Sequence, residues 1–107
     1  MELESIGEVI AERVLKRSVN GRETRDVIVR LGKPQPFPDG NGYFSPFEII
    51  GIGELKIRYA RGGDEFQSLQ LALRMISATL HYWKNEPASI MFLEEPGDDL
   101  GFPEEAS

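Results

Sequence analysis

Residues 64–83 read DEFQSLQLALRMISATLHYW, and their spacing decides the fold. Phe66, Leu69, Leu73, Ile76, Leu80 and Trp83 recur at steps of 3, 4, 3, 4 and 3, which lines them along one side of an α-helix. Ala72, Met75 and Thr79 widen that stripe, while Glu65, Ser68, Arg74 and His81 fall on the opposite side in a solvated pattern. Asp64 follows Gly62-Gly63 and is placed to cap the first turn, with Gln67 three residues on to complete a capping box. Pro87 bars any extension, because the residue before a proline is pushed out of the α region. A helix with one apolar stripe needs a sheet to bury it.

The rest of the chain supplies the strands. Residues 5–19 alternate only loosely, a pattern that an amphipathic helix also accommodates, but Asn20-Gly21 decides for a hairpin. Both residues tolerate the positive φ of a type I′ turn. Residues 8–19 and 22–31, the latter rich in β-branched side chains, are therefore predicted to form a long antiparallel pair. Phe44 to Ile52 reads as a third strand, with Gly51 and Gly53 marking a bulge or turn. Leu55 to Arg61 alternates, placing Leu55, Ile57 and Tyr59 on one face and Lys56, Arg58 and Ala60 on the other. After the helix, Ser89-Ile90-Met91-Phe92-Leu93 reads as a fifth strand. The expected fold is α+β: an antiparallel sheet of about five strands, ordered β-β-β-β-α-β, with one long amphipathic helix packed on one face.

Between the second and third strands, residues 32–46 hold Gly32, Pro34, Pro36, Pro38, Gly40, Gly42 and Pro46. Proline removes backbone donors and glycine adds chain entropy, so this stretch is predicted to be an ordered loop. Loops of that length in small domains are often functional. The plainer alternative is a surface loop packed by Phe37, Tyr43 and Phe44.

Composition narrows the function classes. The chain has 107 residues, enough for one domain spanning 1–107, and its 40% hydrophobic and 28% charged content is ordinary for a soluble protein. It lacks the run of about 18 apolar residues that a membrane span requires. Its acidic N-terminus does not read as a secretory signal, so the expected location is cytoplasmic. The absence of cysteine excludes disulfides, thiolate ligands and a cysteine nucleophile. Net charge is −6, and residues 84–107 carry all of it: Lys84 stands against seven carboxylates. The body is near neutral and shows no basic stripe for phosphate neutralisation, so nucleic acid is not an expected partner. The acidic C-terminal segment from about 94 reads as a solvated tail, which Leu100 and Phe102 are expected to anchor back onto the body.

Candidate chemistry is sparse. His81 is the sole histidine, and the helix C-terminus favours it electrostatically. Neither a G-x-S-x-G elbow nor a phosphate-binding glycine motif occurs. Gly62-Gly63 precede a helix, yet Asp64-Glu65 would repel an anion, so these glycines are read as turn formers. Asp98-Asp99 are adjacent and would not face one cavity in a strand. The sheet face away from the helix is expected to carry Lys16, Arg25, Arg30, Arg58 and Arg61 among Glu12, Glu23 and Asp26, giving cross-strand ion pairs. Ile28 and Ile50 are expected to reach the same face, and an uncovered apolar sheet face usually finds a partner.

Five stretches together carry a resemblance. They are Ile10-Ala11-Glu12-Arg13, Leu31-Gly32-Lys33-Pro34, Ser45-Pro46-Phe47-Glu48-Ile49-Ile50-Gly51, Asp64-x-x-Gln67-x-Leu69-Gln70-Leu71-Ala72-Leu73 and Asp99-Leu100-Gly101-Phe102-Pro103. The sequence resembles a family of small uncharacterised bacterial proteins, a DUF6968-like domain of unknown function, over roughly residues 8–103. The resemblance implies a bacterial cytoplasmic origin and brings no activity with it.

Two readings of function follow. The first is a non-enzymatic protein-interaction module, of an accessory or immunity type, that meets a protein partner or a second copy through the sheet face. It expects no catalytic residue, no metal and no cofactor. The second is a small-molecule binder, or an enzyme of unrecognised type, that uses the 33–46 loop with Tyr43 and Arg58 as contacts. It requires a concave apolar pocket with convergent polar groups near that loop.

Overall fold

A computed structural model describes residues 2–19, 23–52, 55–84, 89–92, 95–96 and 102. The expected Asn20-Gly21 turn, Gly53, Pro87, Asp98-Asp99 and Leu100 lie outside the described residues. Strands β1 (Val9–Val19) and β2 (Glu23–Gly32) pair antiparallel along nearly their whole length. The two-residue β3 (Gln35–Pro36) follows, then β4 (Tyr43–Ile50) and β5 (Arg58–Gly62). Helix α1 (Glu65–Lys84) leads to β6 (Ser89–Phe92) and the two-residue β7 (Glu95–Pro96). The five longer strands and the helix occur in the predicted order, and all pairings are antiparallel.

Register sets the layout. Phe47 pairs with Leu31 of β2 and with Arg58 of β5, so these strands take opposite edges of β4. Phe44 pairs with Arg61 on the β5 edge and with Gln35 on the other, so β3 continues the line of β2. Neither Ser45 nor Pro46 has a partner in β2 or β3. Proline lacks an N–H to donate, so Pro46 sits at a break in the ladder. β6 joins the far side of β1, opposite Lys16–Ser18. The helix thus carries the chain from β5 across β4, β2 and β1. That is roughly 19 Å at the usual strand spacing, well within the roughly 30 Å length of a 20-residue helix.

Opposed residues in a ladder share a face, which sorts the side chains. Leu15, Val27, Val29, Leu31, Phe47, Ile49 and Ala60 face α1 and form one core with Ala72, Ile76 and Leu80. Burying each large member of that set is worth about 1.5–3 kcal/mol. Phe102 packs against this core with the Arg13 guanidinium 4.6 Å above its ring. The expected anchoring therefore holds at Phe102.

Asp64 caps the helix as read, while Gln67 reaches back one residue beyond the N-cap that a capping box would engage. The Gln67 N–H donates to Asp64 Oδ1 at 2.7 Å, and the Gly63 N–H donates to Gln67 Oε1 at 2.6 Å. The buried stripe follows the prediction at Leu69, Ala72, Leu73, Ile76, Leu80 and Trp83, but Met75 is exposed and the first turn departs from it. Phe66 is 77% exposed, whereas Ser68 is fully buried and hydrogen-bonded to Ser45 at 2.8 Å. Ser45 and Gly62 lie under this turn, so the helix approaches closely and leaves a phenyl ring little depth to enter. A Cβ on Gly62 would collide with the Ser68 backbone N. Ser68 takes the inner position, and Phe66, about 200° round the helix, is left outside. The Ser68 hydroxyl donates to the Glu65 carbonyl at 3.0 Å, which makes Ser45 the donor to Ser68.

β5 is also shorter than predicted. Leu55 and Ile57 precede it, and Leu55 is 75% exposed. The residues buried from this strand are Ala60, which lies opposite Ser45, and Gly62, which lies against the helix start.

Candidate functional site

The sheet face turned away from α1 has two parts. At one end it is closed by aromatic rings. Phe44 and Tyr59 lie 5.8 Å apart, Phe37 lies 5.1 Å from Phe44, and the Arg61 guanidinium sits 4.5 Å over the Phe37 ring. Ile6 covers the same end, lying against Gly32 and Pro46.

The 33–46 stretch makes this closure. It forms the β3–β4 hairpin, tied by the Phe37 N–H to the Gly42 carbonyl and the Gly40 N–H to the Phe37 carbonyl, both at 2.9 Å. Asp39 Oδ1 accepts from the Asn41 N–H, and Arg61 donates to the Asn41 carbonyl. The loop is therefore packed on the sheet through Phe37 and Phe44, as in the plainer alternative.

The other part of the face is open, and register arranges it in rows. Val14 lies opposite Ile28, and Ile28 opposite Ile50, so three apolar side chains cross β1, β2 and β4 in line. Val14 is 43% exposed, and Ile28 and Ile50 are half-buried. On one side runs Glu12–Arg30–Glu48, with Arg30 Nε donating to Glu12 at 2.7 Å and Arg30 Nη1 lying 3.7 Å from Glu48. On the other side Lys16 pairs with Asp26. Hydrogen bonding to Glu12 raises the Arg30 pKa above its ordinary value; burial opposes this, and the charges of Glu12 and Glu48 add to it. The Arg30 cation therefore persists through neutral and alkaline conditions.

Register corrects the expected membership of this face. Lys16, Arg30, Arg61, Glu12 and Asp26 belong to it, as do Ile28 and Ile50. Arg58 lies opposite Phe47, and Arg25 and Glu23 stand two and four positions before core residue Val27, so these three are on the helix side. Arg25 and Glu23 pair with each other at 3.0 Å.

Three cavities stand out among the described residues. One of about 930 Å³ runs round the β5 edge from Ile50 and Tyr59 to Leu55, Ile57 and Met75, with Arg30, Lys56 and Arg58 on its rim. A second of about 290 Å³ lies between Leu73, Ile76 and β1–β2 and is closed by Phe102. A third of about 170 Å³ lies between β4 and Trp83 and shares Lys56 and Arg58 with the first. Arg58 therefore lines two cavities and Tyr43 none of the three. The two residues share a face, but four strand positions separate Phe47, opposite Arg58, from Tyr43, about 13 Å. The structure does not bring them together. Sequence periodicity missed Lys56, because it placed that residue inside a regular strand.

His81 Nδ1 lies 2.8 Å from the Ser77 carbonyl one helical turn back, the geometry of an N–H donor. Among the described residues, no group of three His, Asp or Glu side chains could hold a metal ion. None of the described helices is long and apolar enough to cross a membrane.

These features define an α+β domain: one antiparallel sheet, one helix sealing one face, and a second face half closed by rings and half open. The chain belongs to the family described as Domain of unknown function (DUF6968), whose profile matches residues 11–104. No curated protein and no solved structure matches it.

Proposed function

We propose that this protein is a non-enzymatic protein-interaction module, of an accessory or immunity type and acting in the cytoplasm, that docks a partner protein on the open sheet face. The observation that carries this reading is the Val14–Ile28–Ile50 row, left exposed between two ionic rows. An apolar strip rimmed by fixed charge is the composition of an interface centre and its edge. The ion pairs are formed within the chain, so docking would bury the strip without stranding a charge.

The second reading, a small-molecule site or enzyme at the 33–46 loop, is disfavoured by the loop's packing. None of the three cavities is lined by residues 33–46.

The test is affinity capture from lysate of the source cells, with Val14→Arg beside the wild type and light scattering on each purified protein. The expected result is a partner retained in equal amount by the wild type and lost by a Val14→Arg protein of unchanged melting temperature. A wild-type dimer that Val14→Arg converts to monomer would make a second copy the partner. Capture that Val14→Arg leaves intact, or a wild type that is monomeric and captures nothing, would overturn the reading.

A further inference from the structure

Lys56 and Arg58 are set apart by where they lie. Neither takes part in an ion pair or a hydrogen bond among the described residues, and both line the cavity of about 930 Å³ and the small one beside Trp83, so the two cavities meet at this pair of charges.

The wall of the larger cavity is aliphatic where it leaves them, built from Leu3, Ile50, Leu55, Ile57 and Met75. Its two carboxylates are Glu48, engaged with Arg30, and Glu2 at the opening. At about 930 Å³ it is the size of a cleft for a small organic ligand.

From this geometry we infer that the cleft at the β5 edge is a binding site for an amphiphilic carboxylate. Its anionic head is held by Arg58 and Lys56, and its aliphatic body lies along Ile50, Leu55, Ile57 and Met75. The guanidinium presents a planar fork that matches a carboxylate in two parallel hydrogen bonds, and Lys56 adds a point charge. The apolar wall gives the ligand body a surface to leave water against, which a free inorganic anion would not use. The cleft shares Ile50 with the apolar row, but Val14 is not in its lining, so a change at Val14 tests the docking surface apart from the cleft.

The experiment titrates the full chain with octanoate by calorimetry and maps the contact by backbone amide NMR shifts, with 1-octanol as the neutral probe of equal length. The expected result is saturable octanoate binding with shifts at Ile50 and at 55–59. Arg58→Gln should weaken it by about tenfold, as loss of a charge-assisted hydrogen bond does, with part of the loss restored in Arg58→Lys. Lys56→Gln should weaken it less, and 1-octanol should bind more weakly than octanoate by a factor close to the Arg58→Gln effect. Absence of saturable binding, shifts confined to other residues, or octanol binding as tightly as octanoate would overturn the inference. So would an Arg58→Gln protein, folded by its amide spectrum, that binds octanoate like the wild type. The Val14→Arg protein should bind octanoate normally, which keeps this result independent of the docking test.

Discussion

The two faces of the sheet are made by alternate residues of the same strands, yet they are closed by different means. On the helix side, Phe47, Ile49, Val27, Val29 and Leu15 meet Ala72, Ile76 and Leu80 in a dry layer, and the hydroxyls of Ser45 and Ser68 satisfy each other. On the other side, rings and Ile6 close one end, while at the other end ion pairs and an apolar row stand open. One face holds the fold together. The other leaves the Val14–Ile28–Ile50 row open, and the proposed docking rests on that contrast.

The largest expected effect lies on the closed side. Phe47→Ala empties a fully buried position at the centre of the core and should cost about 3–5 kcal/mol in denaturant unfolding. A loss near 1 kcal/mol would mean that the layer under α1 is loosely packed and the contrast between faces is overdrawn. The serine pair gives a finer measure. Ser68→Ala leaves the buried Ser45 hydroxyl with no acceptor and should cost about 1–3 kcal/mol, whereas Ser45→Ala removes only the donor and should cost about 0.5–1.5 kcal/mol. Equal costs, from paired urea melts, would reverse the donor assignment. The smallest effect belongs to the open side. Val14→Thr should change unfolding free energy by less than about 0.5 kcal/mol, as exposed substitutions do. A loss above 1.5 kcal/mol would place Val14 in a packed layer and remove the basis for docking there.

Much of the fold was legible because local rules agree. Chain period marked the strands and the helix, Asp64 and Gln67 marked where the helix starts, and Phe102 after an acidic run marked an anchor. The helix face was misjudged at Phe66 and Ser68 for a specific reason. Periodicity weighs hydrophobicity, but burial at that turn is decided by size: Gly62 brings the backbones together, and a small side chain takes the inner position. The hydroxyl that makes this tolerable comes from Ser45, 23 residues away. The candidate site was half legible. Arg58 was named, but its pairing with Tyr43 assumed that one loop would gather them, and strand register holds them apart.

The sequence by itself determined the class of layer, the order of the elements and the location of the net charge, because each depends on residues close in the chain. Only the tertiary structure decided which residues of the first turn of α1 are buried, which cations are paired and which line a cleft. Those outcomes depend on which residues the register sets opposite one another, and a strand displaced by one position would send every side chain to the other face.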